Sequence, residues 1–193
     1  MSKTNGDRGR VNRTIYQLDL LYQTLSPQEF GRVMQQVLAC SFEAAGFHVV
    51  ENAIGVPDFT ATASSTDGNG QTIAVEVKTS DKSKISLTQR DLDGIRTPGQ
   101  IGVLAVLMFP AMNPRWLLIS ADSISPGSWE IRHLGMKPQV NVGFEVDNMF
   151  HRATSGLEAN LVPGGSELES WIKAQRHTFL VINSRESQSH FQN

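Results

Sequence analysis

The sequence has little of several features that would place it in a functional class at once. Cys40 is the only cysteine, which excludes an internal disulfide and a site built from several cysteines. The formal net charge is -2 and charged residues make up 19%, so bulk charge does not indicate a nucleic-acid partner, although a local basic face remains compatible. The longest apolar run, Ile101 to Pro110, is too short to cross a bilayer, and the first residues lack the apolar stretch of a signal peptide. We therefore expect a cytoplasmic protein with no membrane partner.

Common catalytic patterns are also missing. The sequence has no His-Asn-His nuclease pattern, no phosphate-binding P-loop and no GxGxxG dinucleotide fingerprint. The five histidines lie far apart, without the spacing of metal ligands, so we expect each to have a surface or core role; they are His48, His133, His151, His177 and His190. Hydrophobic residues make up 39% of the 193 residues, which is enough for one ordinary domain with or without an appendage.

Helical and extended patterns alternate along the first 120 residues. Ser26, Pro27 and Glu29 predict a helix start, with Ser26 as the N-cap and Glu29 placed to close a capping box, and Gly46 is placed to end that helix. A similar start is predicted at residues 86–89. The predicted elements are helices at 11–25, 26–46 and 86–95 and strands at 47–50, 55–60, 73–79, 101–109 and 116–120. This order predicts an α/β fold with a mixed sheet flanked by helices.

The pattern is harder to interpret beyond residue 120. Val140, Val142, Phe144 and Val146 alternate with other residues, which predicts one more strand. Ser166 is placed to begin a final helix, whose apolar side is predicted to contain Leu168, Trp171, Ile172 and Phe179. We therefore expect an α+β extension at the C-terminal side of the main fold.

Charged residues interrupt two of the predicted strands. Residues two apart in a strand face the same way, so Glu76 and Lys78 share one face of theirs. If the two strands form a hairpin that closes around Asp67-Gly68, Asp58 lies directly opposite Glu76, and directly opposed Cβ atoms are about 4.5–5.5 Å apart. Charges in such apolar sequence cost free energy unless they are paired or hold an ion. The three residues are therefore a candidate site.

A divalent cation would explain the two carboxylates. Two carboxylates this close repel each other, and the pKa of one rises unless a cation lies between them. Oxygen ligands of this type suit Mg²⁺, with Mn²⁺ as a possible substitute, better than Zn²⁺. Lys78 on the same face could orient an attacking water or stabilise charge on a reacting phosphate. A buried structural ion pair is the alternative, but it leaves the second carboxylate unexplained.

The candidate site resembles a known motif. Pro57 and Asp58, together with Glu76, Val77 and Lys78 of the next predicted strand, are similar to the PD-(D/E)XK motif of the restriction endonuclease-like nuclease superfamily. The resemblance covers about residues 26–120, whose predicted order is similar to that family's α-β-β-β-α-β core. It implies an N-terminal arm and helix at 1–25, a nuclease core at 26–120, and an extension at 121–193 that packs on the core for dimerisation or DNA recognition. It also implies that Asp58, Glu76 and the backbone carbonyl of Val77 bind metal and that Lys78 assists catalysis.

Two further positions are weaker candidates for the same site. The family often has a glutamate near the start of the first core helix, for which Glu29 is the candidate, although Gln36 or Glu43 on the same predicted face could take that role. Gln89 resembles a helix glutamine that some members place near the site. A helix cap is the alternative explanation for both Glu29 and Gln89.

The resemblance implies a Mg²⁺-dependent DNA endonuclease that hydrolyses phosphodiester bonds and leaves a 5′-phosphate. A type II restriction endonuclease is our first expectation, because residues 121–193 could read sequence or form a dimer. The alternatives are a structure-selective enzyme, such as a Holliday junction resolvase or a repair nuclease, and a related module that binds DNA without cutting. Small, strongly basic chains are typical of structure-selective members, and this chain is acidic.

The expected partners are double-stranded DNA and a second copy of the chain. Symmetric cutting of both strands favours a two-fold homodimer. Lys82, Lys84 and Arg90 follow the candidate strand closely and could contact phosphates, although an ordinary solvated helix start would also explain them.

Overall fold

The computed structural model describes residues 5–52, 55–63, 70–80, 82–109, 114–142, 144–156, 170 and 172. Its main sheet has five strands in the spatial order β1-β2-β3-β5-β6. The central pair β3–β5 is parallel, and the other neighbouring pairs are antiparallel, so the sheet is mixed. The strands are β1 Phe47–Glu51, β2 Phe59–Ala63, β3 Thr72–Lys78, β5 Ile101–Met108 and β6 Arg115–Ser120.

Helices and a small second sheet cover the two faces of the main sheet. On one face lie α1 Asn5–Thr24, α2 Pro27–Ala44 and α5 Phe144–Gly156. On the other face lie α3 Gln89–Ile95, α4 Ile131–Leu134, and a two-stranded antiparallel sheet made of β4 Lys84–Leu87 and β7 Gly127–Glu130. The predicted mixed α/β architecture is therefore confirmed. The observed order α2-β1-β2-β3-β4-α3-β5 is the expected core with β4 inserted before α3.

The start of α2 is the predicted one. Ser26 is the N-cap, its side chain accepts from the N–H of Glu29, and the carboxylate of Glu29 accepts in return from the N–H of Ser26. The helix then buries an apolar stripe that includes Phe30, Val37 and Phe42 against the sheet. Packing of this stripe, more than helix propensity, stabilises α2.

The start of α3 differs from the predicted one. Thr88 is the N-cap and Asp91 closes the capping box, so the helix begins at Gln89. The preceding residues form β4 instead, because Ile85 and Leu87 are buried and Ser86 between them is exposed. This two-residue alternation is typical of a half-buried strand, and the prediction that a helix begins at Ser86 is wrong.

The C-terminal side contains a helix where a strand was predicted. Val140 donates its N–H to the carbonyl of Leu118, but no strand follows among the described residues near it, and α5 begins at Phe144. Val146 and Phe150 are four residues apart and both buried, which is the spacing of a helix face. The prediction of one strand through residues 140–146 is therefore wrong. The predicted helix start at Ser166 lies outside the described residues.

The described C-terminal elements pack directly on the core. The rings of Phe150 and Trp116 meet edge to face with centroids 5.8 Å apart, and Ile172 is buried in the same cluster as α2. The first helix is longer than predicted, since α1 begins at Asn5 and not at residue 11. None of the helices in the described part of the chain combines the length and apolar character that a bilayer span requires.

Candidate active site

The pairing of β2 with β3 places the two strand carboxylates side by side. Phe59 pairs with Val75 and Thr60 with Ala74, so the same register puts Asp58, just before β2, opposite Glu76. The hairpin turn that the sequence indicated, at Asp67-Gly68, lies outside the described residues. The register of the described residues still gives the expected opposition of Asp58 and Glu76.

Asp58 is fixed by backbone hydrogen bonds on both sides. Its Oδ2 accepts from the N–H of Val77 at 2.7 Å, and its carbonyl accepts from the N–H of Asn52 at 3.0 Å. Asn52 also donates its side-chain amide to the carbonyl of Pro57 at 2.7 Å. Burial raises the pKa of Asp58, and the Val77 N–H and the charge of Lys78 only partly offset it.

Glu76 is the most buried charged group of the site, with 5% of the residue exposed. Its Oε1 accepts from Lys78 Nζ at 2.8 Å, whereas its Oε2 is buried and has no hydrogen-bond partner in the described structure. Burial first and the negative charge of Asp58 second raise the pKa of Glu76 to about 7. A buried carboxylate oxygen without a partner is costly, so this atom is where a ligand would be most favourable.

Lys78 lies between two carboxylates. Its Nζ is 2.8 Å from Glu76 Oε1 and 3.0 Å from Oδ1 of Asp91 on α3. Burial lowers the pKa of Lys78, but the hydrogen bonds and charges of Glu76 and Asp91 outweigh it, and the pKa is raised above its usual 10.5. The ammonium group therefore stays charged.

Asp91 is a member of this cluster that the sequence analysis missed. Its Oδ2 accepts from the N–H and the hydroxyl of Thr88 at 2.7 and 2.8 Å, and its Oδ1 faces Lys78. Burial raises the pKa of Asp91, but the hydrogen bonds from Thr88 and Lys78 prevail and lower it. The spacing of Thr88 and Asp91 was a usable signal, because it is a capping-box spacing.

The weaker candidates have other hydrogen bonds. Glu29 is engaged by Ser26 in the capping box of α2. Gln89 is exposed and donates to Asp93 Oδ1 at 2.6 Å. Gln36 donates to Glu51. Glu51 pairs with Phe59, which faces the α2 side of the sheet. Gln36 and Glu51 therefore lie on the opposite face of the sheet from Glu76. The structure brings together Asp58, Glu76 and Lys78, and it shows no such contact for Glu29, Gln36 or Gln89.

The donor set fits a hard divalent cation with a partly aqueous shell. Asp58 and Glu76 supply carboxylate oxygens from one face, and Glu76 Oε2 has no protein partner. The N–H of Val77 points at Asp58, and the N–H and carbonyl of one strand residue point to the same side, so the Val77 carbonyl faces the β2 side of β3. Among the described residues no group of three or more His, Cys, Asp or Glu forms a metal site. Two carboxylates supplemented by water are typical of Mg²⁺ rather than Zn²⁺.

A known protein structure is similar to part of this chain. No protein-family model matches the chain, and no curated protein matches it. The solved structure of Archaeoglobus fulgidus Hjc, a Holliday junction resolvase from an archaeal hyperthermophile, is similar with a TM-score of 0.42 and 17% identity. The match covers 56% of this chain and 89% of that chain.

Proposed function

We propose that this protein is a divalent-metal-dependent nuclease of the PD-(D/E)XK type that hydrolyses DNA phosphodiester bonds. One observation carries the proposal: Asp58 and Glu76 lie opposite each other on one face of a hairpin, Lys78 contacts Glu76, and Glu76 Oε2 is buried without a partner. The spacing of these residues and the α-β-β-β-α-β order around them support it. A purely structural ion pair would not need the second carboxylate.

Asp58, Glu76 and the Val77 carbonyl would hold the cation. A bound Mg²⁺ supplies Lewis-acid stabilisation of the phosphoryl charge and a more acidic water. The N–H of Val77 keeps Asp58 oriented, so its second oxygen can face the cation. Lys78 places a fixed positive charge next to the site, where it can stabilise the charge that develops on the phosphate. In the reaction, a water oxygen would form a bond to phosphorus as it loses a proton, and the bond to the 3′ oxygen would break. The 3′ oxygen would take up a proton, so the products would be a 5′-phosphate and a 3′-hydroxyl.

Two kinds of enzyme are compatible with the proposed chemistry, and they differ in the DNA that they cut. A type II restriction endonuclease was the first expectation and a Holliday junction resolvase the alternative. The similar structure bears the name of the alternative, a Holliday junction resolvase.

Digestion of plasmid and of a synthetic four-way junction, each with Mg²⁺ and with EDTA, tests the proposal. Discrete sequence-dependent plasmid fragments support a restriction enzyme, and paired nicks at the junction support a resolvase. No cleavage of either DNA with Mg²⁺ or Mn²⁺ contradicts the proposed nuclease and supports a module that binds DNA without cutting. Sequencing of the ends identifies the cut.

We propose a homodimer as the working form, since both strands of a duplex are cut symmetrically by a two-fold pair of sites. The supporting observation is the aromatic side chain of Tyr16 on α1, which is 62% exposed, since tyrosine is enriched at protein interfaces. Size-exclusion chromatography with light scattering should give twice the monomer mass. A monomer at every concentration contradicts the dimer but leaves the nuclease proposal intact.

A further inference from the structure

We infer that Asp91 is a positioning residue, which holds the Lys78 ammonium in the site when a cation engages Glu76. This inference rests on the proposed function. It adds a residue from α3 to a site whose other members come from the hairpin. Asp91 does not contact the cation or the phosphate, so its effect would reach the reaction only through Lys78.

The contacts of Lys78 create the need for such a residue. Lys78 Nζ is shared by Glu76 Oε1 at 2.8 Å and Asp91 Oδ1 at 3.0 Å. A divalent cation on Glu76 neutralises that carboxylate and repels the neighbouring ammonium. Glu76 then holds Lys78 less strongly. Asp91 is the second carboxylate that the described structure places on this ammonium, and it keeps its charge.

The two carboxylate oxygens of Asp91 have different hydrogen-bond partners. Oδ2 accepts from the N–H and hydroxyl of Thr88, which fixes the plane of the carboxylate, and Oδ1 is left facing Lys78. The helix beneath it is anchored, since Leu92 and Ile95 are fully buried. The cap of α3 therefore orients the group that orients Lys78.

The same helix also contacts the segment that leads into Asp58. A Cβ on Gly94 would lie 2.4 Å from Val56 Cβ, so helix and segment are already in close contact. The α3 helix therefore contacts the site at two places. Asp91 binds Lys78, and Gly94 packs against Val56, which lies just before Asp58. A displaced α3 would move both, which makes a control for helix displacement essential.

Three variants separate the contact with Lys78 from the helix cap. Asp91→Asn keeps an oxygen that can accept from the Thr88 N–H, but it removes the negative charge that faces the Lys78 ammonium. Asp91→Glu keeps the charge and is itself a usual capping-box residue. Thr88→Ala weakens the cap and leaves the Lys78 contact.

Single-turnover cleavage with saturating Mg²⁺ and DNA is the first readout. We expect Asp91→Asn to slow the rate constant about tenfold to a hundredfold with unchanged DNA affinity, because a misplaced catalytic group costs rate more than binding. Asp91→Glu should recover most of the rate. Thr88→Ala should lower the melting temperature and, because its backbone N–H can still donate to Asp91 Oδ2, should lose much less rate than Asp91→Asn well below that temperature. Equal rates for Asp91→Asn and wild type, or equal losses in Asp91→Asn and Thr88→Ala, overturn the inference.

Side-chain ammonium resonances of ¹⁵N-lysine-labelled protein give a readout that needs no cleavage. With Mg²⁺, the Lys78 signal should persist in the wild type and disappear in Asp91→Asn through fast exchange with water. Loss of the signal in both proteins, or its survival in both, overturns the inference. If the wild type cuts no DNA, the proposed nuclease fails, while this resonance still decides whether Asp91 holds Lys78.

Discussion

Without a divalent cation, the carboxyl group of Glu76 should make the folded protein progressively less stable as the pH rises through neutrality. The pKa of this group is 4.5 in an unperturbed chain and about 7 in the folded structure. Between these values the folded protein keeps a proton that the unfolded chain has released. The free energy of unfolding therefore falls with increasing pH, and the stabilisation that is fully present below 4.5 is lost above 7.

The size of the effect follows from the two pKa values. At about 1.4 kcal/mol per pH unit, the full loss is about 3 kcal/mol, most of which falls between about pH 5 and about pH 8. The raised pKa of Asp58 adds in the same direction. The lowered pKa of Asp91 affects stability only as the pH falls below about 4, and the raised pKa of Lys78 only above about 10. Glu76 thus dominates the neutral range among the groups of the site.

Urea unfolding in EDTA at about pH 5 and about pH 8 measures this effect, with Glu76→Gln as the matched control. Gln has nearly the same shape, can still accept from Lys78, and does not titrate. The variant should gain about 2–3 kcal/mol on the wild type between the two pH values. The same change of stability with pH in both proteins would refute the idea that Glu76 is a strained, buried carboxyl.

The remaining predictions concern the metal, the packing of α3 and the DNA surface. Isothermal titration should show Mn²⁺ binding by the wild type that is lost when either strand carboxylate is replaced by alanine; binding that survives both changes contradicts the metal site. Gly94→Ala should lower stability by about 1–3 kcal/mol, because the new methyl group meets Val56, whereas Gly135→Ala, with its nearest atom 3.5 Å away, should stay within about 0.5 kcal/mol, as measured by urea unfolding. Exposed Lys82 and Arg90 should contact phosphates, so their replacement by alanine should weaken DNA binding for all sequences and reduce its salt dependence; unchanged salt dependence excludes them. Lys84 is a poorer candidate for this surface, because it pairs with Glu130 at 3.2 Å.

The opposition of Asp58 and Glu76 could be predicted from sequence because strands have a strict two-residue period. Two strands on either side of a polar, glycine-containing turn allow a symmetric register, and that register places these two residues side by side. The burial of Glu76 could not be predicted in the same way. It arises because β5 pairs with β3 along its other edge and places Leu104 opposite Glu76, a long-range parallel contact that no local pattern encodes.

The missed elements show where local patterns give two answers. Residues 140–146 alternate as a strand does, yet Val146, Phe150 and Ala153 also follow a helical period, and packing against α2 and α1 favours the helix. In β4 a strand was missed instead. Buried Ile85 and Leu87 alternate with exposed residues as in a strand, but the capping residues beside them favoured a helix start. Asp91 was missed for the same reason, because the capping box was placed two residues too early, at Ser86 and Gln89.

Cleavage of DNA by the wild type, Asp58→Ala and Lys78→Ala, compared with Mg²⁺ and with EDTA, tests the central claim most directly. All three proteins should fold, as far-ultraviolet circular dichroism can show, since neither side chain belongs to the hydrophobic core. The wild type should cut only with the metal, and each variant should lose cleavage by at least about a hundredfold. Undiminished cutting by either folded variant, or cutting by the wild type in EDTA, would contradict the assignment of these residues to a metal-dependent nuclease site.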